Sequence, residues 1–380
     1  MRSLELFSGA GGLAKGLENA GFEHVAFVES NKNACTSLYE NFDKNKVFFG
    51  DIKDFNFETL NNIDVVAGGP PCQPFSLGGK HQANQDTRDM FGYAINAVEK
   101  IEPKAFIFEN VKGLLRSSFA EYFEYIILRL TYPTFKTSNE SWQEHLNQLR
   151  KLSKGSYIGT KYDVRYKLVN AANYGVPQIR ERVVIVGFRS DLNLSWHFPE
   201  ETHSEERLLW EMFVTEEYWK RHNILKPNHL FDSPKLLEKI NRLKSRHGLF
   251  EPENFAWQTV RDALSGIPDP RSEHDISDHI FRDGARTYAG HTGSDIDLPS
   301  KTIKAGNHGV PGGENMIRYE DESVRYFTVF EAKQIQTFPD NFVIKGSWGE
   351  AMRQIGNAVP VRLAEIIGKQ IIAALNCYRN

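Results

Sequence analysis

Three features of the sequence predict an α/β protein: a mostly parallel, doubly wound sheet carrying a second, smaller and irregular domain. Short apolar runs alternate with helical patterns through the first half of the chain. Every unusual motif in that half falls at the end of a predicted strand, where ligands sit in such sheets. After about Ser190 the alternation dissolves, and it returns only in a closing amphipathic helix.

SLELF reads as a first strand, GAGGL as a turn, and AKGLENAGF as a helix stopped by Gly21. HVAFVES is a second strand and NKNACTSLYENF a second helix. KVFFGD, DVVAGG and KAFIFENV follow as apolar runs bounded by turn residues or charges, with MFGYAINAVEKI as a helix between the last two. RYKLVNAANYG and RERVVIVGFR predict two more strands, as an antiparallel pair. Residues 191–217 are strongly acidic and 220–247 strongly basic, and Pro, Gly, His and Asn are scattered to about Asn315. VRLAEIIGKQIIAALNCY is a helix suited to packing on a sheet. No internal repeat or low-complexity tract interrupts the chain.

The 380 residues suit one large or two moderate domains. The formal net charge of -3 excludes a globally basic nucleic-acid binder, so any such contact must use local basic surface. Three cysteines without repeating spacing, Cys35, Cys72 and Cys377, argue against a disulfide framework or a cysteine metal site and fit a reducing cytoplasm. MRSLELF leads straight into the glycine turn with no signal peptide, and no apolar run approaches the roughly 18 residues that span a bilayer.

Gly9, Gly11 and Gly12 follow the first strand and allow both a tight turn and ligand approach to backbone N–H groups at a helix start. Glu29 ends the second strand about 20 residues on, where an acid can take a ribose hydroxyl pair. Asp51 ends the third and can accept from an adenine amino group. Either acid alone reads equally as a helix cap; three consecutive strand ends of this kind point to an adenosyl ligand. Cys72, in GGPPCQPFS, sits where prolines fix the backbone, a setting that suits a nucleophile held at one angle. Cys35 and Cys377 read as inert thiols on helix faces. Glu109 and Asn110 end another strand, and Gln178, Arg180 and Arg182 alternate so that all three side chains can share one site. A solvated strand face is the plain alternative for the arginines.

LFSGAGG, Glu29, GDI, GGPPCQPFS, FENV, QIRER, RYFTVFEAKQIQTFPDNF and QIGNAVP stand in this order from Leu6 to Pro360. So arranged, the chain resembles the C5-cytosine-specific DNA methyltransferases of bacterial restriction-modification systems. The resemblance implies a Rossmann-like S-adenosylmethionine-dependent domain over 1–189 plus 345–380, with a target-recognition domain at 190–344. It implies that Cys72 adds to C6 of a flipped cytosine, Glu109 holds the base at N3 and N4, Arg182 contacts O2 and Arg180 orders the site. It assigns Phe7, Gly9, Ala10, Gly11, Gly12, Glu29, Asp51, Ile52, Pro71 and Asn357 to S-adenosyl-L-methionine, converted to S-adenosyl-L-homocysteine. It implies a mobile loop after Cys72, with Gln73, Ser76, Lys80 and Arg88 as candidate DNA contacts. Two residues depart from the pattern: Glu5 where the family usually has Asp, and Phe330 where it usually has Arg, a position tied to the hinge between the domains. The stretch from about Tyr132 to Lys161 is longer than in compact members and has no assigned role.

In the expected recognition region, SPKLLEKINRLKSRHG predicts a helix capped by Ser233, with Pro234 in its first turn and Gly248 at its end. Lys235, Lys239, Arg242 and Arg246 share one face, and Leu236, Leu237, Ile240 and Leu243 another. The basic stripe suits phosphate contact and equally suits a solvated face. GHTGSDIDLPSKTIKAGNHGVPGG fits loops that read base edges. The expected partner is double-stranded DNA, with a cognate restriction endonuclease acting separately; the chain is expected to be a monomer, without membrane contact or metal. An RNA cytosine methyltransferase and a catalytically silent S-adenosylmethionine-binding regulator remain as alternatives.

Overall fold

The structure is a computed structural model, and it describes residues 1–71, 90–136, 141–226, 233–305 and 315–377. Strands β1 (Arg2–Leu6), β2 (Glu23–Glu29), β3 (Val47–Phe49), β4 (Val65–Gly68), β5 (Ala105–Val111), β6 (Tyr162–Asn170) and β7 (Glu181–Arg189) form a seven-stranded sheet in the order β3-β2-β1-β4-β5-β7-β6. The first five pair in parallel, and β7 runs antiparallel to both β5 and β6. The expected α/β fold with a mostly parallel sheet is therefore present. The strand order reverses between β1 and β4, and a cleft opens there at the carboxyl ends.

Successive side chains of each strand point to opposite faces, and both faces are covered. Val66, Phe106, Phe108, Val183 and Ile185 pack under α3 (Phe91–Ile101) and α4 (Ala120–Thr131). Val65, Ala67, Ile107, Val184 and Val186 pack under α1 (Gly12–Ala20) and α12 (Val361–Cys377). Leu363, Ile367, Ile371 and Leu375 recur every fourth residue of α12 and supply its apolar stripe. Truncating one of the buried leucines, isoleucines or phenylalanines among them to alanine would cost about 2–5 kcal/mol. Helix α2 (Lys32–Asn41) begins at Asn31, whose side chain caps Ala34 N–H at 3.0 Å.

The unassigned stretch folds as α5 (Trp142–Leu152), opened by a capping box between Ser141 and Glu144. It buries Leu146 and Leu149 and forks Arg150 onto Glu124 of α4 at 2.9 and 2.6 Å. The stretch is thus an added layer over α4.

The expected irregular region has more helix than its sequence suggests. The acidic run builds α6 (Glu205–Phe213), the junction of the two runs α7 (Glu217–His222), and the basic run α8 (Pro234–His247). Leu208, Trp210, Trp219, Ile240 and Leu243 give these helices their own core. Short strands β8 (His203–Ser204) and β9 (Phe255–Ala256) pair beside them. After α9 (Val260–Ala263), strands β10 (Ser294–Asp295), β11 (Met316–Arg318) and β12 (Val324–Tyr326) form a small sheet. Its core runs without a break through α10 (Val329–Ile335) and α11 (Trp348–Asn357) to Ala10 at the cleft. The polar periodicity of α6 and α7 hid them in the sequence, because their apolar partners lie in α8.

Candidate active site

The cleft holds about 610 Å³, a volume suited to a nucleoside-sized ligand. Its walls come from the ends of β1, β2, β4 and β5, the approach to β7, and the end of α11. Phe7, Gly9, Ala10, Gly12, Glu29, Asp51, Ile52, Pro71, Glu109, Arg180, Arg182 and Asn357 all line it. Residues from both ends of the chain therefore converge on one site.

After β1 the backbone turns sharply. Phe7 is held at φ 52°, left-handed and strained for a bulky side chain. Gly11 caps α1 at φ 89°, a conformation only glycine adopts without cost. Gly11 itself faces away from the cleft: a Cβ there would meet Phe42 Cε2 at 2.7 Å. Glu29 accepts the N–H of Gly9 through Oε2 and that of Asn31 through Oε1, both at 2.7 Å. Each carboxylate oxygen keeps a further lone pair for a hydroxyl in the cleft. Asp51 accepts Lys53 N–H at 3.0 Å and caps a short turn, so the helix-capping reading holds for it beside its place in the wall.

Glu5 is 1% exposed and bonded to the Ser3 hydroxyl at 2.9 Å, with His24 Nδ1 at 3.1 Å. The longer side chain is thus accommodated by two polar partners on β1 and β2. Cys35 is buried below Glu29, and burial, aided by the Glu29 charge, pushes its thiol up to about 12. It is inert, as its sequence context suggests. Cys377 is exposed at the end of α12, so its expected helical placement is present without burial.

Cys72, Gln73, Ser76, Lys80 and Arg88 lie outside the described residues. The backbone leading to Cys72 is held firmly: the side-chain amide of Asn110 donates to Pro70 O at 3.0 Å. Met90 N–H returns to Pro71 O at 3.3 Å. Pairing of β5 with β7 sets Arg182 opposite Val111, two residues beyond Glu109. That diagonal relation brings Arg182 Nε to 2.6 Å from Glu109 Oε1. The contact is ionic, since no N–H is aligned on that oxygen as a hydrogen bond.

Arg180 is fully buried and donates through Nη2 to the carbonyls of Gly356 and Ala358, at 2.8 and 2.9 Å. Burial and the Arg182 charge lower its pKa, against the opposing effect of Glu109. Gln178 is not in the cleft. It precedes β7, is fully buried, and accepts Ile303 N–H at 3.3 Å, while its neighbour Ile179 bonds Ser300 O. The alternation therefore ends before Gln178, which supports the segment at 300–303.

Arg353 and Gln354 also line the cleft. Sequence reasoning missed them because their helix follows a long variable region, although Gln354 opens the QIGNAVP motif. Burial of α8 against α6 ties up the basic stripe: Lys239 pairs with Glu205 at 2.5 Å, Arg242 with Glu238 at 2.5 Å, and Arg246 with Glu206. Lys235 is the member of the stripe without a carboxylate partner among the described residues. The acidic and basic runs thus neutralise each other, which favours the solvated-face reading of that stripe.

The profile of the C-5 cytosine-specific DNA methylases matches residues 1–373. The chain belongs to this family. Among the family's members, it is 34% identical to the Type II methyltransferase M.PspPI of Psychrobacter sp. (strain TA137), over 98% of this chain and 79% of that one. It is 30% identical to the Type II methyltransferase M.NgoMIV of Neisseria gonorrhoeae, over 98% and 97% of the two chains. The crystal structure of S. pombe Dnmt2 methyltransferase shares the methylase fold with a TM-score of 0.58 at 17% identity, covering 99% of each chain. No described helix is long and apolar enough to cross a membrane, and no described group of His, Cys, Asp and Glu could hold a metal ion.

Proposed function

We propose that the chain methylates C5 of a flipped cytosine in a specific duplex DNA sequence, through a covalent bond between Cys72 and C6. The observation that carries this reading is the Glu109–Arg182 pair at 2.6 Å, set beside the Pro70–Pro71 turn that leads into Cys72. A carboxyl and a guanidinium side by side match the N3–N4 and O2 edge of cytosine. S-adenosylmethionine, when bound, supplies an electrophilic methyl group. Its adenosyl part suits Glu29, Asp51 and Ile52, and its other end the turn from Phe7 to Gly12.

The Cys72 thiolate forms the S–C6 bond while Glu109 delivers a proton to N3, leaving C5 electron-rich. Transfer of the methyl group to C5 would release S-adenosyl-L-homocysteine; loss of the C5 proton to water then restores the C5–C6 double bond and expels the thiolate, and the N3 proton returns to Glu109. Arg182 balances charge at O2, and Arg180 keeps Asn357 in the wall. Flipping the base out of the duplex costs a few kcal/mol, offset by the contacts the base gains in the site. Residues 190–344 form the recognition domain in this reading, and 1–189 with 345–380 the catalytic domain. The protein acts as a monomer in the bacterial cytoplasm, protecting DNA from a separate restriction endonuclease.

The test is transfer of label from S-adenosylmethionine to unmethylated plasmid DNA or to tRNA, with Cys72→Ala alongside. Labelled 5-methylcytosine in DNA, lost in the variant, is the expected result. Label that persists on DNA in Cys72→Ala would overturn the covalent route, and label confined to tRNA would overturn the substrate.

A further inference from the structure

Phe330 stands where the family's usual arginine is missing, and the structure places a cation one helical turn further on. Lys333 is 2% exposed. Its ammonium group has three donors, and three acceptors meet it: Asp278 Oδ2 at 2.8 Å, Asp340 O at 3.0 Å and Phe342 O at 2.7 Å. The Phe330 ring closes the site, with its centroid 5.2 Å from Nζ. A buried lysine so fully satisfied is rare, because its desolvation must be met by charge and geometry together.

The acceptors belong to two separate parts of the chain. Asp278 lies in the segment between α9 and β10, and α10 grips that segment further. Phe330 N–H donates to Asp278 O at 3.1 Å, and His279 bridges Thr328 Oγ1 at 2.8 Å and Pro268 O at 2.7 Å. Asp340 and Phe342 lead into a stretch docked on α2: Val343 exchanges two hydrogen bonds with the Asn41 side chain, at 2.7 and 2.8 Å. Helix α2 in turn begins at the cleft wall, at Asn31 and Ala34. A single ammonium group therefore ties the 268–279 segment to the 340–342 stretch, which Val343 docks on α2 of the cofactor-side domain.

We propose that Lys333 and Asp278 form a catch that fixes the recognition region against the cofactor-binding domain in the orientation that DNA binding needs. Both are positioning residues, and the proposal rests on the DNA-methylating reading above. The Phe330 ring gives the lysine stem an apolar face on which to rest.

Asp278 is 27% exposed, and Asp278→Asn removes the charge while keeping the side chain's shape, with thermal unfolding of the variant as the check that it folds. Steady-state methylation of an unmethylated plasmid should show a KM for DNA raised about tenfold in this variant. Its kcat and its calorimetric Kd for S-adenosylhomocysteine should stay within about twofold of wild type. Asp278→Glu, which keeps the charge, should restore most of the loss. An unchanged KM for DNA, or a parallel loss of cofactor affinity, overturns the catch. Hydrogen exchange without DNA decides independently of activity: peptides covering 268–282 should exchange faster in Asp278→Asn and in Lys333→Met than in wild type, while those of β1 and α1 do not. Equal exchange at 268–282 also overturns it. A wild-type protein that transfers no label to DNA would instead sink the functional reading and leave the exchange result standing.

Discussion

Arg180 and Gly356, 176 positions apart, meet through a 2.8 Å hydrogen bond from guanidinium to main-chain carbonyl, and the same nitrogen holds Ala358 O at 2.9 Å. Asn357 lies between these two carbonyls, so its place in the cleft depends on a side chain from the other end of the fold. Arg180→Met should raise the Kd for S-adenosylhomocysteine about tenfold or more, as expected for two bonds from a charged donor. Arg180→Lys should fare little better, because the shorter lysine stem does not carry its nitrogen to the position of Nη2 between the two carbonyls. Calorimetry on both variants checks this. Thermal unfolding should move less than the affinity, since deleting the buried charge also removes its desolvation cost.

Glu109→Gln should lower kcat by about 10²–10⁴-fold, the usual range for loss of a general acid. Cofactor affinity should change by no more than about threefold, because the Glu109 carboxylate lies at the base end of the cleft in the proposed mechanism. Single-turnover methyl transfer together with a binding isotherm separates the two effects. Equal losses in rate and in cofactor binding would contradict the assigned role.

At Gly12 an added Cβ would meet Val359 O at 2.5 Å and Ala358 Cβ at 2.9 Å. Neither backbone can yield alone, so Gly12→Ala should destabilise the fold by about 1–3 kcal/mol and weaken cofactor binding with it. Thermal unfolding with and without S-adenosylhomocysteine reads both quantities.

His203 is buried between the main sheet's connections and the recognition region, and burial with the nearby Arg362 charge lowers its pKa to about 4. Between about pH 6.5 and 4 the unfolded chain binds a proton that the folded one does not. The neutral ring's contribution is therefore fully present above about pH 6.5, and stability falls as pH drops through that window. His203→Gln should flatten this part of the stability–pH curve, as measured by urea unfolding from about pH 7.5 down to 4.5.

Cys35 should resist alkylation in the native protein, being buried with its thiol pushed up to about 12, while Cys377 is exposed. In Cys72→Ala, a maleimide at about pH 7.5 should label Cys377 quickly and Cys35 only on unfolding. Mass spectrometry of the labelled chain distinguishes the sites.

Much of the cleft was legible in the sequence because its residues stand at strand ends marked by glycines, prolines and acids. Those signals are local, and the sheet then brings their positions together. Glu29 shows the limit: its spacing is readable, but its bonds to Gly9 and Asn31 N–H groups are not. Gln178 shows another limit, since alternation holds only while the backbone is extended, and the strand starts at Glu181. Lys239, Arg242 and Arg246 looked free on a helical wheel because their partners Glu205 and Glu206 lie on another helix, and Glu238 on the same one. Phe330 reads as a loss until Lys333 is seen folded back beneath it. For Glu29, Lys239, Arg246 and Lys333 the missing information was pairing between residues distant in sequence, whereas Glu238 and Arg242, four residues apart on one helix, were within reach of the sequence.

Helix α12 lies against α1, so the layer beneath the cofactor cleft is assembled from the first and last elements of the fold. A chain emerging from the ribosome therefore holds an open half-site through most of its synthesis. Arg180 has no carbonyls to grip until Gly356 and Ala358 arrive, and Leu13 and Leu17 stay uncovered until Leu363 and Ile367 do. The inserted helices α6–α8, with a core of their own, are complete well before that moment. The cofactor site is thus completed only after the recognition helices have formed.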